Sequence, residues 1–236
     1  MQKAASLILK DKVTVGLFGL GESNAGVYEY IRRKNGSARF VIREENENFD
    51  SVLAFSELRR GSSALTSITE DLIFLSPSVK RQRLEGALKK STVISSDHEL
   101  FFEEFSGLRF AVTGSSGKST TTYLISELLS KSGIPSCAAG NFGKALSPLI
   151  DSGLTPVAEL SSFQLTHYAP KTDRAVITNI YPNHLNWHKD LDEYASAKMK
   201  LLEKCSEATV DIDSHSLAER LSGRRVFCAV SSVLDL

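Results

Sequence analysis

Lys118 and Ser119 stand in the run Ala111-Val112-Thr113-Gly114-Ser115-Ser116-Gly117-Lys118-Ser119-Thr120, where an ammonium and a hydroxyl close a small, glycine-bearing turn. An apolar run (Phe110 to Val112) enters the turn, and a helical pattern through Tyr123, Leu124, Ile125, Leu128 and Leu129 leaves it. Such a turn is an anion site, because unpaired N–H groups and the positive end of the helix dipole point into it. The set expected to hold a triphosphate is Gly114, Ser115, Ser116, Gly117, Lys118, Ser119 and Thr120. Lys118 offers a charge to a β- or γ-phosphate oxygen, and Ser119 a hydroxyl to Mg2+. The general phosphate loop has a glycine where Val112 stands, so this is a shorter form, Thr-Gly-x-x-Gly-Lys-Ser.

Four later residues could reach a triphosphate bound there. Glu159 lies in the apolar stretch Val157 to Leu160, where an unpaired charge would cost several kcal/mol to bury. It reads either as a Mg2+ ligand complementing Ser119 or as a carboxylate capping the Ser161/Ser162 turn. His184 reads as a ligand or as an ordinary hydrogen-bonded loop histidine. Lys198, beside Met199 and Leu202, reads as a site residue or as a chain that snorkels. Asn141, after Gly140, reads as a polar contact or as a turn residue tolerating a left-handed backbone.

The elements that must position these residues alternate strand and helix. Val13 to Leu20 reads as a buried strand feeding Gly21-Glu22-Ser23-Asn24, then a helix ending near Asn35-Gly36, then a strand from Arg39 to Ile42. That is the start of a Rossmann-like βαβ unit, although Asn24 stands where the third fingerprint glycine belongs. Gly21, Glu22 and Ser23 make either a weak nucleotide or diphosphate contact or only a tight turn. Further strands are expected at Ser51–Phe55, Leu72–Leu75 and Thr92–Ile94, with a charged helix over Val79–Lys90 and a helix and turn over Phe101–Gly107. Beyond the loop, strands are expected at Ser136–Ala139, Val157–Leu160, Arg174–Ile180 and Val226–Val230, and a helix over Leu191–Glu203. The expected architecture is α/β: a Rossmann-like parallel-sheet domain over residues 1–106, then an incomplete phosphate-loop α/β domain over 107–236.

Composition narrows the class. The 236 residues carry a formal net charge of +0 and 24% charged residues, which gives no basic nucleic-acid surface and no acidic tail. Cys137, Cys205 and Cys228 are odd in number and lack paired spacing, so neither a disulfide framework nor a zinc site is indicated. No stretch approaches the length that spans a bilayer, so a cytoplasmic protein without membrane or nucleic-acid partners is expected.

Taken together, Val112–Thr122, Gly140-Asn-Phe-Gly143, Glu159-Leu-Ser-Ser-Phe-Gln-Leu165, Asn179-Ile-Tyr-Pro-Asn-His-Leu-Asn186 and Tyr194-Ala-Ser-Ala-Lys198 resemble the ATP-dependent Mur ligases of peptidoglycan synthesis. Glu159 to Gln164 resembles the D-glutamate-adding (MurD) type within them. Gly19–Ser23 and Asp71–Pro77 resemble that family's UDP-binding unit. The resemblance implies a ligase acting through an acyl phosphate in cell-wall biogenesis, and thus in cell shape and division. UDP-N-acetylmuramoyl-L-alanine and D-glutamate would be its substrates, and a monomer its state. It implies catalytic roles for Lys118, Asn141, Glu159, His184 and Lys198. Substrate contacts would come from Gly21, Glu22, Ser23, Asn141, Ser161 and His184. One Mg2+ would sit on Ser119 and Glu159. A second would be placed by His184 and by Lys198 as an N-carbamate.

Two features depart from the family pattern. Asn183 and Asn186 stand where it carries acids around the loop histidine, and Ser78 replaces a glycine. The chain also stops at Leu236, short of the family's C-terminal domain, so weak nucleotide binding without turnover is expected of it alone. A nucleotide-binding or regulatory module without ligase activity is the alternative. A generic phosphate-loop ATPase fits the Glu159–Gln164 segment poorly.

Overall fold

The computed structural model describes residues 4–211 and 228–230. The chain divides into two compact units, one of Met1–Glu104 with Ala145–Ile150, the other of Phe105–Lys144 with Asp151–Leu236.

The first unit contains α1 (Ala4–Ile8), β1 (Thr14–Phe18), α2 (Glu22–Lys34), β2 (Arg39–Glu44), β3 (Glu57–Arg60), β4 (Leu72–Leu75), β5 (Val93–Ser95) and α3 (Asp97–Glu104). Its five strands are parallel in the order β3-β2-β1-β4-β5. Side chains alternate across a strand, so both faces must be covered. On β4, Leu72 and Phe74 join one buried cluster with Val15, Leu17, Val27 and Ile31, while Ile73 and Leu75 join another with Phe18, Ile68 and Leu84. Asn24 is buried within α2, and its amide donates to the carbonyls of Phe18, Gly19 and Phe74 at 3.0, 2.8 and 3.3 Å. The residue at the third fingerprint position thus ties the ends of β1 and β4 together.

Ala145–Ile150 packs in this unit, held by Asp97. The Asp97 carboxylate accepts from the Leu146 and Ser147 N–H groups, both at 2.8 Å, and from the Ser147 hydroxyl. Burial pushes its pKa up, against the pull of those donors.

Two expectations for this unit fail. Ser51–Phe55 forms no strand, because the Asp50 and Ser51 side chains capture the N–H groups of Ser51 and Leu53 at 2.9 and 3.1 Å. Val52 is fully exposed, and the strand comes later, as β3. Val79–Lys90 is no α-helix either. It holds only a 3-10 turn at Arg81–Leu84, then Gly86 at φ 84°, after which Ala87 and Lys89 pair with Ile68.

The second unit contains β6 (Phe110–Thr113), α4 (Lys118–Lys131), β7 (Ser136–Gly140), β8 (Thr155–Glu159), α5 (Ser162–His167), β9 (Thr172–Ile177), α6 (Leu191–Met199), β10 (Cys205–Asp211) and β11 (Cys228–Val230). All six strands are parallel, in the order β11-β10-β9-β6-β8-β7. β10 was not expected from the sequence: its short run alternates buried Ala208 and Val210 with charged and polar residues. The helix expected over Leu191–Glu203 is α only to Met199 and tightens to a 3-10 turn over Lys200–Leu202. Of the late strand, Val226 and Phe227 lie outside the described residues.

In this order β6 lies between β8 and β9, the point from which the chain winds both ways. The carboxyl ends of these three strands therefore converge, where open α/β sheets place their ligands. No described helix is long and apolar enough to cross a membrane.

Candidate active site

Each residue of the loop after β6 is placed by what precedes or follows it. Gly114 has φ 151°, and a Cβ there would lie 1.9 Å from Thr178 Oγ1, so only glycine fits. Gly117 caps α4 with φ 76°, which reverses the chain into the helix. The first N–H groups of α4, at Lys118, Ser119 and Thr120, have no intrahelical partner and make the anion-receiving face. Lys118 bends back over the loop, its Nζ 3.2 Å from Ser115 O.

Ser115 and Ser116 are tied to the segments that face the loop. The Ser115 N–H donates to Asn179 O and the Ser116 N–H to Asn179 Oδ1, both at 2.9 Å. The Ser115 hydroxyl lies 2.9 Å from the Tyr194 hydroxyl and exchanges bonds with Tyr181 N and O at 2.9 and 3.0 Å. These two residues shape the loop by their bonds to the β9 end and to α6.

Glu159 ends β8 and is 2% exposed. Its Oε2 accepts from the Ser119 hydroxyl at 2.7 Å and its Oε1 from Asn141 Nδ2 at 2.9 Å. Of the two readings open for Glu159, the cap on the following turn is taken by another residue. Ser161 caps α5 itself, its hydroxyl accepting from Gln164 N while the Gln164 side chain accepts from Ser161 N. Asn141 is not left-handed; Gly140 and Gly143 take the positive φ of that turn, and a Cβ on Gly140 would lie 2.4 Å from Glu159 O.

Lys198 is 1% exposed on α6 and does not snorkel to solvent. Its Nζ donates to Gly114 O at 2.8 Å, is 3.5 Å from Thr113 Oγ1, and sits 4.6 Å from the Tyr194 ring centroid. Burial, with Lys118 nearby, lowers its pKa to about 7, against the pull of Glu159. His184 lies exposed in the loop after β9 with φ 54°, its ring 5.1 Å from that of Phe163 and 6.4 Å from that of Tyr194. Partial burial, then Lys198 and Lys118, lower its pKa. Asn183 and Asn186 beside it are exposed amides.

The second unit thus brings Gly114–Thr120, Asn141, Glu159, His184 and Lys198 to one strand-end region, with Ser161 just behind Glu159. Gly21, Glu22 and Ser23 belong to the first unit, at the start of α2. Among the described residues no three His, Cys, Asp or Glu side chains gather as a metal cluster. A cation here would rest on Ser119 Oγ and Glu159, whose oxygens already meet, together with ligand oxygens. That pair fits Mg2+ in donor type. Lys198, as a donor to a carbonyl, is no ligand in the form the structure holds.

Residues 112–228 match the Mur ligase middle domain. The chain belongs to the Mur ligase family. It is 36% identical over 216 residues to the UDP-N-acetylmuramoylalanine--D-glutamate ligase of Rickettsia prowazekii (strain Madrid E), covering 86% of this chain and 47% of that protein. The ligase of the same name from Desulfitobacterium hafniense (strain Y51) is 32% identical over 236 residues, covering 91% and 52%. Among solved structures, the UDP-N-acetylmuramate:L-alanyl-gamma-D-glutamyl-meso-diaminopimelate ligase (MPL) from Neisseria meningitides matches with a TM-score of 0.60 at 14% identity, covering 94% of this chain and 78% of that one. That likeness concerns the Mur ligase fold. The chain spans about half the length of the curated relatives it matches.

Sequence reasoning assigned no role to Thr178, Asn179, Tyr194, Ser162 or His188. Thr178 and Asn179 follow β9 directly, so the rule that strand carboxyl ends face the ligand could have singled them out. Nothing in the spacing pairs His188 Nε2 with Ser162 Oγ at 2.9 Å.

Proposed function

We propose that this chain carries the nucleotide-binding and UDP-substrate-binding parts of an ATP-dependent ligase. That ligase would join D-glutamate to UDP-N-acetylmuramoyl-L-alanine during peptidoglycan synthesis. The observation that carries the reading is the buried Glu159 carboxylate, bridged to Ser119 at 2.7 Å and Asn141 at 2.9 Å at the mouth of the phosphate loop. The relatives at 32–36% identity bear the corresponding name.

In this reading the γ-phosphate lies at the N-terminus of α4, with Lys118 offsetting its charge. The substrate carboxylate oxygen attacks the γ-phosphorus and ADP leaves. The amine of D-glutamate then attacks the acyl carbon, releasing phosphate and a proton. Two anionic groups must first approach each other, and Lys118 supplies the fixed positive charge that makes this tolerable. Ser119 and Glu159 would hold Mg2+, which screens the same repulsion when bound. A second Mg2+ would draw on His184 and on Lys198 as an N-carbamate. With its pKa lowered to about 7, Lys198 is partly the free amine that adds carbon dioxide and releases a proton. Gly21, Glu22 and Ser23 would meet the UDP moiety, with Asn141, Ser161 and His184 contacting the substrate's acyl end.

Calorimetric titration with ADP and with UDP-N-acetylmuramoyl-L-alanine tests the assignment. Binding of both ligands is expected. Binding of ADP without the muramoyl nucleotide would favour the second reading, a nucleotide-binding module that does not ligate. Asn183 and Asn186 motivate that reading, because they set amides in place of carboxylates on either side of His184.

A further inference from the structure

We propose that Asn179 is a positioning residue for the phosphate loop, holding Ser116 so that an incoming anion meets the N-terminus of α4 and not the loop's own amides. The proposal rests on reading that loop as a nucleotide site. The side chain grips Ser116 at both of its polar backbone atoms. Asn179 Oδ1 accepts from Ser116 N at 2.9 Å, and Asn179 Nδ2 donates to Ser116 O at 3.2 Å. Two neighbouring bonds extend the grip: Ser115 N donates to Asn179 O at 2.9 Å, and Thr178 Oγ1 donates to Ser116 O at 2.7 Å.

The need for such a brace comes from the loop's composition. Ser115 and Ser116 lie between Gly114 at φ 151° and Gly117 at φ 76°, two joints that are freer than any other residue would make them. Neither serine belongs to β6 or α4, so no ladder or helix bond fixes it. A carboxamide is suited to the task because it offers a donor and an acceptor in one plane. A carboxylate would keep the bond from Ser116 N, lose the bond to Ser116 O, and place a negative charge beside the anion site. A methyl group would lose both bonds. Asn179 also begins the stretch that carries Tyr181 and His184, so the loop's shape and the position of His184 are set from the same strand end.

The test uses the whole chain with two substitutions and two readouts. Amide hydrogen exchange followed by NMR should show the Ser116 N–H protected in the unsubstituted chain. In N179A it should exchange about tenfold faster or more, while amides of β6 and mid-α4 keep their rates. N179D should retain Ser116 protection yet bind ADP about tenfold more weakly, which no loss of fold would produce. Unchanged Ser116 exchange in N179A overturns the positioning role. If N179A does not fold, N179D decides: ADP affinity equal to that of the unsubstituted chain overturns the proposal. An unsubstituted chain that protects Ser116 but binds no ADP overturns the nucleotide reading. The Ser116 exchange rates then still decide whether Asn179 holds the loop.

Discussion

Ser119 and Glu159, 40 residues apart in the chain, meet through a 2.7 Å hydrogen bond between hydroxyl and carboxylate. The pairing follows from the sheet: β8 lies beside β6 with Glu159 in register with Val112, and α4 starts after the four-residue loop Gly114–Gly117 that follows β6. A hydroxyl and a carboxylate at hydrogen-bond distance form an oxygen pair that one divalent cation can bridge, replacing the proton between them. Glu159→Gln keeps the shape and the bond from Ser119 but removes the charge. ADP affinity in Mg2+ is expected to fall about tenfold or more. With chelator present the loss should vanish or reverse, since one negative charge has left a phosphate site. Paired calorimetric titrations with and without Mg2+ measure both, and an equal loss under both conditions would remove Glu159 from the cation's reach.

Asn183 and Asn186 flank His184 with amides, and partial burial followed by the positive field of Lys198 and Lys118 lowers its pKa. Restoring carboxylates reverses that field. In N183D/N186D the His184 pKa is expected to rise, because nearby negative charge favours imidazolium. Affinity for a divalent cation should rise as well. NMR titration of the His184 ring signals and binding of Mn2+ followed by water relaxation read the two effects separately.

The strand-to-loop-to-helix order around Lys118 was legible because the chemistry is local: apolar run, glycines and helix pattern follow one another without interruption. Glu159 was legible as an acid inside an apolar strand, which demands an explanation. Its partners were not, since contact with Asn141 depends on β7 lying beside β8. Lys198 was favoured as a site residue only through resemblance; its burial against Gly114 O and the Tyr194 ring is a consequence of α6 docking that no spacing announces. The Ser51–Phe55 segment misled for the opposite reason. Its apolar residues suit a strand, yet Asp50 and Ser51 bind the local N–H groups before any ladder can. The bracing role of Asn179 was invisible because the sequence put it inside the expected strand Arg174–Ile180, whereas β9 ends at Ile177 and leaves Asn179 in the following loop.

Glu99 gives the first unit a pH dependence of defined sign. Burial raises its carboxyl to about 7, Glu103 pushes the same way, and Arg81, which donates a hydrogen bond to it, opposes both. A carboxyl with a higher pKa folded than unfolded contributes stability in acid, where it is protonated in both states. That contribution is lost as the pH rises from about 4.5 towards about 7. Glu99→Gln should therefore leave stability at pH 7 equal or improved and flatten its fall between those values. Urea midpoints measured across that range check the slope; a midpoint that climbs with pH in the unsubstituted chain and not in the variant would contradict the sign.

Arg43 and Glu70 form a buried ion pair in the first unit, with side chains 1% and 2% exposed and Arg43 Nε 2.6 Å from Glu70 Oε1. Arg43 also donates to the carbonyls of Ala64, Thr66 and Ser67 at 3.0, 3.0 and 3.1 Å, so one guanidinium pins the middle of the stretch between β3 and β4. Removing one partner of such a pair strands a charge in the core, and Arg43→Met is expected to cost about 3–5 kcal/mol. Where an ion pair stands alone, replacing both partners by apolar residues recovers most of that loss. Here R43M/E70L should recover only part, because the buried Ala64 carbonyl and the partly buried Thr66 and Ser67 carbonyls still lack their donor. Chemical denaturation of the two variants discriminates. Full recovery in the double variant would show that the carbonyl bonds contribute little and that the charge alone makes Arg43 indispensable.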